Sequence, residues 1–417
     1  MTTTARLRVP AFVSVAILAF VAAASDGYDL AIFGAAIPDL LAEPNWDLTH
    51  AQIGVIASTA IVGMCLGSIS AGMLVDRFGA RRLFLACVIW FSVGMILCAV
   101  APTSELLGIA RLVAGLGLGG LGPAAIALTM SVAPEHRKNV ANGVMLTGVP
   151  IGGIAAALSA FVFLEGGGWR AVFLIGGVVP LVFVVPIAMI KLKKWAPDTI
   201  SATSATPGVR ASLQSLIADG GGKALTAFIV VTACCQILSY GLLTWLPQIM
   251  KSSGYSLGSS LAFLIIFSIG ATTGSAAGSW IADKVGGRLV TIVGFAVGAA
   301  AILGLSVQLP QPILYVALFL AGAGSVGIQP VVYGFAAGYF PAGVRGSAIG
   351  FIGGIGRIGG VFGPILGGLL GGLSALVNFS VFAGIAVFAS LLSWIVFSTD
   401  RTRPERPPTP TTVAAEV

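Results

Sequence analysis

Charge is what this sequence has least of. Of its 417 residues, 9% are charged and 57% hydrophobic, and the mean hydropathy is +1.01. Soluble domains carry about 25% charged residues, so a water-facing globule is excluded. Cysteine is scarce as well. The five (Cys65, Cys87, Cys98, Cys234 and Cys235) sit in apolar runs. None has the spacing of a metal site or disulfide framework, and they are expected to act as small buried hydrophobes. The two histidines, His50 and His136, fall in loops between apolar segments, away from any Cys or acidic cluster. No Gly-Lys-Ser/Thr phosphate loop or catalytic constellation occurs. No metal, cofactor or enzymatic activity is therefore expected.

What is abundant is glycine, 57 residues of it, together with long apolar runs. Glycine lets helices pack closely in lipid. A spanning helix needs roughly 20 apolar residues, and the ten-residue alternating segments of a β-barrel do not occur. The expected fold is all-α and polytopic, with twelve transmembrane helices near 12–41, 51–75, 83–102, 106–131, 140–164, 169–190, 224–249, 257–282, 289–308, 312–338, 347–370 and 375–397. Arg6 and Arg8 ahead of the small-residue run Val21–Ser25 resemble a signal peptide. The apolar pattern continues to Leu41, however, so this segment reads as a retained first helix. A polar stretch at 191–222 separates two six-helix bundles, 1–190 and 223–398, and 399–417 reads as a flexible tail.

Twelve spans put both termini on one side. If that side is the cytoplasm, eighteen of the 22 basic residues lie there. Arg170 and Lys251 lie outside, and Arg111 and Arg357 lie within spans. This is the positive-inside pattern of a multi-pass plasma- or inner-membrane protein whose partner is the bilayer. The net charge of +7 then reports topology. The basic residues are scattered, without interleaved aromatics, so no nucleic-acid surface is expected.

The chain also repeats itself. "GMLVDRFGARR" (Gly72 to Arg82) follows the second helix, and "SWIADKVGGR" (Ser279 to Arg288) follows the eighth. Both read Asp-basic-x-Gly-x-Arg, and Asp76 and Asp283 stand 207 residues apart. Related halves about an axis normal to the membrane match major facilitator architecture. The residues Gly72, Asp76, Arg77, Gly79, Arg81 and Arg82 resemble the signature loop of the major facilitator superfamily. The second copy supplies Asp283, Lys284 and Arg288. The resemblance implies that these residues tie helix ends together and help set the conformational equilibrium. Arg111-x-x-x-Gly115-x-Gly117 resembles a second motif of the superfamily, whose Arg is linked to proton coupling.

Four charges lie well inside spans: Asp26, Asp29, Arg111 and Arg357. Each costs about 2.5–3.5 kcal/mol at a helix centre, so such residues face a bundle interior and pair. Asp26 and Asp29 are i and i+3, on one helix face. Two carboxylates on a poorly solvated face do not both ionise easily, which suits a proton carrier. Tyr28 falls on another face, and Gly27 gives a neighbouring helix room to approach.

"Asp-Gly-Tyr-Asp" at 26–29 resembles a motif of the aromatic acid:proton symporters. So do "GLGLGGLGPAAIALT" in the fourth helix, "LTWLPQIM" in the seventh and "VRGSAIGFIGGIGRIGGVFGPILGG" in the eleventh. The sequence departs from that pattern at Ala124, at Ser131 and Val132, and at Phe351. The resemblance implies import of a benzoate- or hydroxybenzoate-like carboxylate with protons, by a chain that works as a monomer. Arg357 is the candidate to hold the carboxylate, because a guanidinium binds one bidentately. Phe33, Tyr240, Trp245 and Tyr333 are candidate walls, and Gln236 and Gln329 candidate polar handles. Another small organic anion is an alternative substrate. A drug:proton antiporter would carry Gly-Pro-x-x-Gly-Gly in the fifth helix, where only "GVPIGG" occurs. A non-transporting membrane sensor is the third alternative.

Overall fold

The computed structural model describes residues 3–44, 46–132, 145, 147–195 and 221–398. These form fourteen α-helical segments and one π-helical turn. The first half holds α1 (Thr3–Leu41), α2 (His50–Phe78), α3 (Ala80–Ala99), α4 (Ser104–Val132) and α5 (Gly148–Val179), then a π turn (Pro180–Val184) and α6 (Val185–Trp195). The second half holds α7 (Gly222–Ser252), α8 (Leu257–Val285), α9 (Gly287–Gly304), α10 (Gln311–Ser325), α11 (Gln329–Tyr339), α12 (Ala342–Gly356), α13 (Ile358–Leu370) and α14 (Ala375–Ser398). Helices dominate because lipid offers the backbone no hydrogen-bond partners.

Among the described residues, eleven helices are long and apolar enough to cross a membrane, and Gly148–Leu164 adds a shorter one. Among the described residues these make twelve, the number of spans expected. The segment expected at 140–164 begins partly outside the described residues. So do His136, most of the 191–222 linker and the 399–417 tail.

The fifth and sixth spans, Gly148–Leu164 and Gly166–Ile190, are two helices as expected, meeting within α5 at a kink where Gly168 leaves helical geometry (φ 63°, ψ −175°). Several boundaries differ from expectation. The tenth span breaks between Ser325 and Gln329. In the eleventh, which starts at Ala342, the helix is interrupted at Arg357. Both breaks fall near the middle of their spans, Gln311–Tyr339 and Val344–Leu370. His50 is not a loop residue, because it opens α2. The Thr49 hydroxyl accepts from the Gln52 amide while the Gln52 side chain accepts from the Thr49 amide at 2.8 Å, a capping box.

The internal repeat is real at the level of backbone. Gly79 joins α2 to α3 as a single residue at φ 79°, and Gly286 joins α8 to α9 likewise at φ 93°. These two positions are also 207 residues apart. A side chain other than glycine is disfavoured at such φ, so the motif's glycine is a turn requirement in both copies.

Within the first bundle α2 packs on α4 and α1 on α5. In the second, α9 packs on α14, α7 on α13 and α8 on α10. The bundles meet where α2 touches α13, α5 touches α8 and α1 touches α7. The closest approaches cluster at the end of the protein where α1 finishes and α2 begins. There a Cβ on Gly54 would stand 2.6 Å from the Pro364 carbonyl oxygen. The Ser58 hydroxyl donates to the Val361 carbonyl at 2.7 Å. At the other end, Gly334, Gly338, Gly346 and Gly350 of α11 and α12 face open space.

Candidate functional site

The four intramembrane charges sort into two arrangements. Asp29 and Arg111 form an ion pair, exposed by 0% and 1%. It ties α1 to α4, and the Arg111 guanidinium also lies 4.7 Å from the centre of the Phe33 ring. Phe33 in turn packs edge-on to Phe173. The pair is thus sealed inside the first bundle.

Asp26, one turn earlier, has a different neighbour. Its charge interacts with that of Arg357, across the two bundles. Arg357 also interacts with the Tyr240 hydroxyl of α7 and with Cys65 of α2. Asp26 Oδ1 and Arg357 Nε are buried and lack a hydrogen-bond partner among the described residues. Asp29 Oδ2 and Arg111 Nε are orphaned in the same way, so what sets the Asp26–Arg357 pair apart is its place between the two bundles.

Polar side chains surround this cluster. Gln329, the first residue of α11, donates to the buried Gln236 of α7 at 2.7 Å. Tyr333, one turn along α11, interacts with Gln329 and with the Arg357 charge. Its hydroxyl lies 3.5 Å from where a Cβ on Gly353 would stand. Tyr240 packs with Leu30, Ile61 and Val361, and a Cβ on Gly360 would meet its ring at 3.2 Å. Glycines beside the Arg357 break therefore let tyrosine rings lie against backbone.

Both helix breaks open onto this region. Gln329 and Arg357 stand at the N-termini of α11 and α13. A helix N-terminus carries partial positive charge and favours anions.

The structure therefore brings Asp26, Arg357, Tyr240, Gln236, Gln329 and Tyr333 together. It does not bring in two of the expected walls. Phe33 is fully buried against Arg111. Trp245 is fully buried too, and its indole donates to the Pro364 carbonyl at 2.9 Å while its ring lies 6.1 Å from that of His50. It is a packing element between α7, α13 and α2. Tyr28 donates to the Val172 carbonyl at 2.9 Å, which ties α1 to α5 on the face away from the acids. Cys65 is half-buried beside Arg357. Sequence reading missed it, since nothing in its spacing separates it from the buried cysteines.

Among the motif residues, Gly72 and Asp76 lie on the last turns of α2. Arg77 stacks on Phe78 at 5.4 Å. Arg82 is exposed, as is Asp283, and Lys284 stands 3.4 Å over the Trp280 ring. Arg81 and Arg288 hold equivalent positions in the two copies, and the Nε of each is buried without a partner among the described residues. Among those residues no group of three or more His, Cys, Asp or Glu is placed to hold a metal.

Comparisons with known proteins bear on this arrangement. The family model for the Major Facilitator Superfamily matches residues 19–311 and 264–415. The chain is 36% identical over 388 residues to a gentisate transporter of Corynebacterium glutamicum, covering 90% of this chain and 86% of that one. It is 30% identical over 398 residues to a benzoate transport protein of Acinetobacter baylyi, covering 88% and 84%. The crystal structure of a D-xylose-proton symporter superposes with a TM-score of 0.75 at 20% identity, covering 91% of this chain and 97% of that one, a likeness of fold. The chain belongs to the Major Facilitator Superfamily, a family of transporters rather than enzymes.

Proposed function

We propose that the chain imports an aromatic carboxylate together with protons by alternating access. The observation that carries this reading is the opposed charges of Asp26 and Arg357, buried mid-membrane where α1 of one bundle faces the α12–α13 turn of the other. An ionised Asp26 competes with a substrate carboxylate for the Arg357 guanidinium. A proton on Asp26 removes the competitor and leaves Arg357 free for a bidentate bond. Proton and substrate thus favour each other's binding, which is positive coupling between two sites. Tyr240 and Tyr333 flank the ring, and Gln236 and Gln329 offer hydrogen bonds to its polar substituents. The transport of gentisate and benzoate by the two relatives supports an aromatic acid as cargo.

The Asp29–Arg111 pair holds α1 on α4 and so sets where Asp26 stands. The working unit is the monomer, with 1–190 and 223–398 rocking about the 191–222 linker and both termini cytoplasmic. On that orientation the closely packed end is the outer one. The repeated Asp-basic-x-Gly-x-Arg loops at the inner end bias the opening and closing of the bundles.

Uptake of labelled gentisate and benzoate into proteoliposomes tests the reading. Saturable accumulation driven by an inward proton gradient is expected for at least one acid, and Arg357→Gln abolishes it. Accumulation indifferent to the gradient, or no uptake of any aromatic acid, overturns it.

A further inference from the structure

Away from the charge cluster, α8, α9 and α10 enclose a groove of about 400 Å³. Ala277, Ile281, Val285, Leu289, Val293 and Phe319 are among the residues that line it. Ile281, Val285, Leu289 and Val293 are 41–53% exposed. On a spanning protein such faces meet lipid, so the groove opens to the hydrocarbon of the bilayer. From Thr273 to Val285 it follows α8, a run of about 18 Å at 1.5 Å per residue. One leaflet of a hydrocarbon core is about 15 Å deep. The groove thus matches one acyl chain in length as well as in polarity.

Its end at the Gly286 turn carries charge. Lys284 stands over the exposed Trp280 ring at 3.4 Å, and a Trp so exposed anchors at headgroup level. Arg288, the second residue of α9, precedes the lining residue Leu289, and its Nε is buried without a partner among the described residues. Asp283 is also there and exposed, so the cluster keeps one net positive charge. Basic groups beside an apolar slot between membrane helices suit an anionic phospholipid.

We propose that this groove is a lipid site. It holds one acyl chain of an anionic phospholipid from the leaflet on the side of the Gly286 turn, with the headgroup on Lys284 and Arg288. The lipid fills a gap that would otherwise leave α8, α9 and α10 without neighbours on that face.

The full-length protein, purified in mild detergent, is offered phosphatidylglycerol and phosphatidylcholine in equal amounts, and lipid retention is read by native mass spectrometry. Wild type retains phosphatidylglycerol over phosphatidylcholine by a ratio on the order of thirtyfold, the size expected for two basic residues at an anionic headgroup. Lys284→Gln with Arg288→Gln removes the preference. Ala277→Phe, at an exposed lining position, fills the slot and lowers retention of both lipids. Thermal unfolding of each variant with and without phosphatidylglycerol checks folding, and the lipid-induced stabilisation is lost in both. Equal retention of the two lipids by wild type overturns the proposal. So does a preference that survives both sets of substitutions.

Discussion

Arg111 of α4 reaches Asp29 of α1, 82 residues away in sequence, and both side chains are shut off from solvent. Removing one partner of a buried pair leaves an uncompensated charge and costs about 3–5 kcal/mol. Asp29→Asn and Arg111→Gln are each expected to lower the unfolding temperature of the purified protein substantially. The double substitution recovers part of the loss, because no lone charge remains. Equal stability of the single variants and wild type would show that the pair does not hold α1 to α4.

Asp26→Asn is expected to behave differently. It leaves the Arg357 guanidinium without its opposite charge, so some thermal stability is lost, and the distinguishing reading is transport. Gradient-driven accumulation falls to the level reached without a gradient. Exchange of external for internal substrate persists, since it needs no net proton movement. A variant that still concentrates substrate against its gradient would move the proton to another group.

Gly27 offers a prediction about packing. A Cβ at that position would drive into the Val149 carbonyl of α5. Overpacking of a close helix contact costs about 1–3 kcal/mol. Gly27→Ala is therefore expected to push α1 from α5 and shift Asp26. Lowered thermal stability together with weakened substrate affinity is the expected pair of readings.

Much of this fold was legible in the sequence, because lipid imposes long apolar helices and makes each buried charge conspicuous. The i, i+3 spacing correctly put Asp26 and Asp29 near one another. It could not assign their partners, since Arg111 and Arg357 approach from helices far apart in the chain. Hydropathy was blind to the breaks at 326–328 and at Arg357, because an interrupted helix is as apolar as a continuous one. The available signal was Gly327 with Pro330, and the glycines around Arg357. Gly/Pro-interrupted spans point to such sites. Phe33 and Trp245 pack against neighbouring helices, which sequence could not show because aromatic character does not reveal whether a ring faces a cavity or a neighbouring helix.

Trp245→Phe isolates one of those contacts. It removes the indole hydrogen bond to the Pro364 carbonyl and keeps most of the apolar volume. A neutral hydrogen bond contributes about 1 kcal/mol. The bond joins α7 to α13 within the second bundle, so a modest fall in unfolding temperature is expected, with little change in substrate affinity. A large rise in KM with unchanged stability would return Trp245 to the binding site.

The last prediction concerns pH, at the far end of α1. Glu43 accepts from the Trp169 indole at 2.7 Å and from Arg170 at 2.7 Å. Arg170 in turn lies 4.2 Å from the centre of the Trp169 ring. Partial burial works to raise the Glu43 carboxyl, but these two hydrogen bonds and the Arg170 charge outweigh it and hold the group below its ordinary value of 4.5. A carboxylate depressed on folding contributes stability above its unfolded value and loses it as pH falls through the folded one. Wild type should therefore lose this contribution progressively below about pH 4.5. Glu43→Gln lacks it at every pH. Thermal unfolding from pH 7 to pH 3.5 should show the gap between wild type and Glu43→Gln narrowing towards acid. A gap constant across that range would mean that the clamp stabilises by packing of Trp46 on Trp169 rather than by the charge on Glu43.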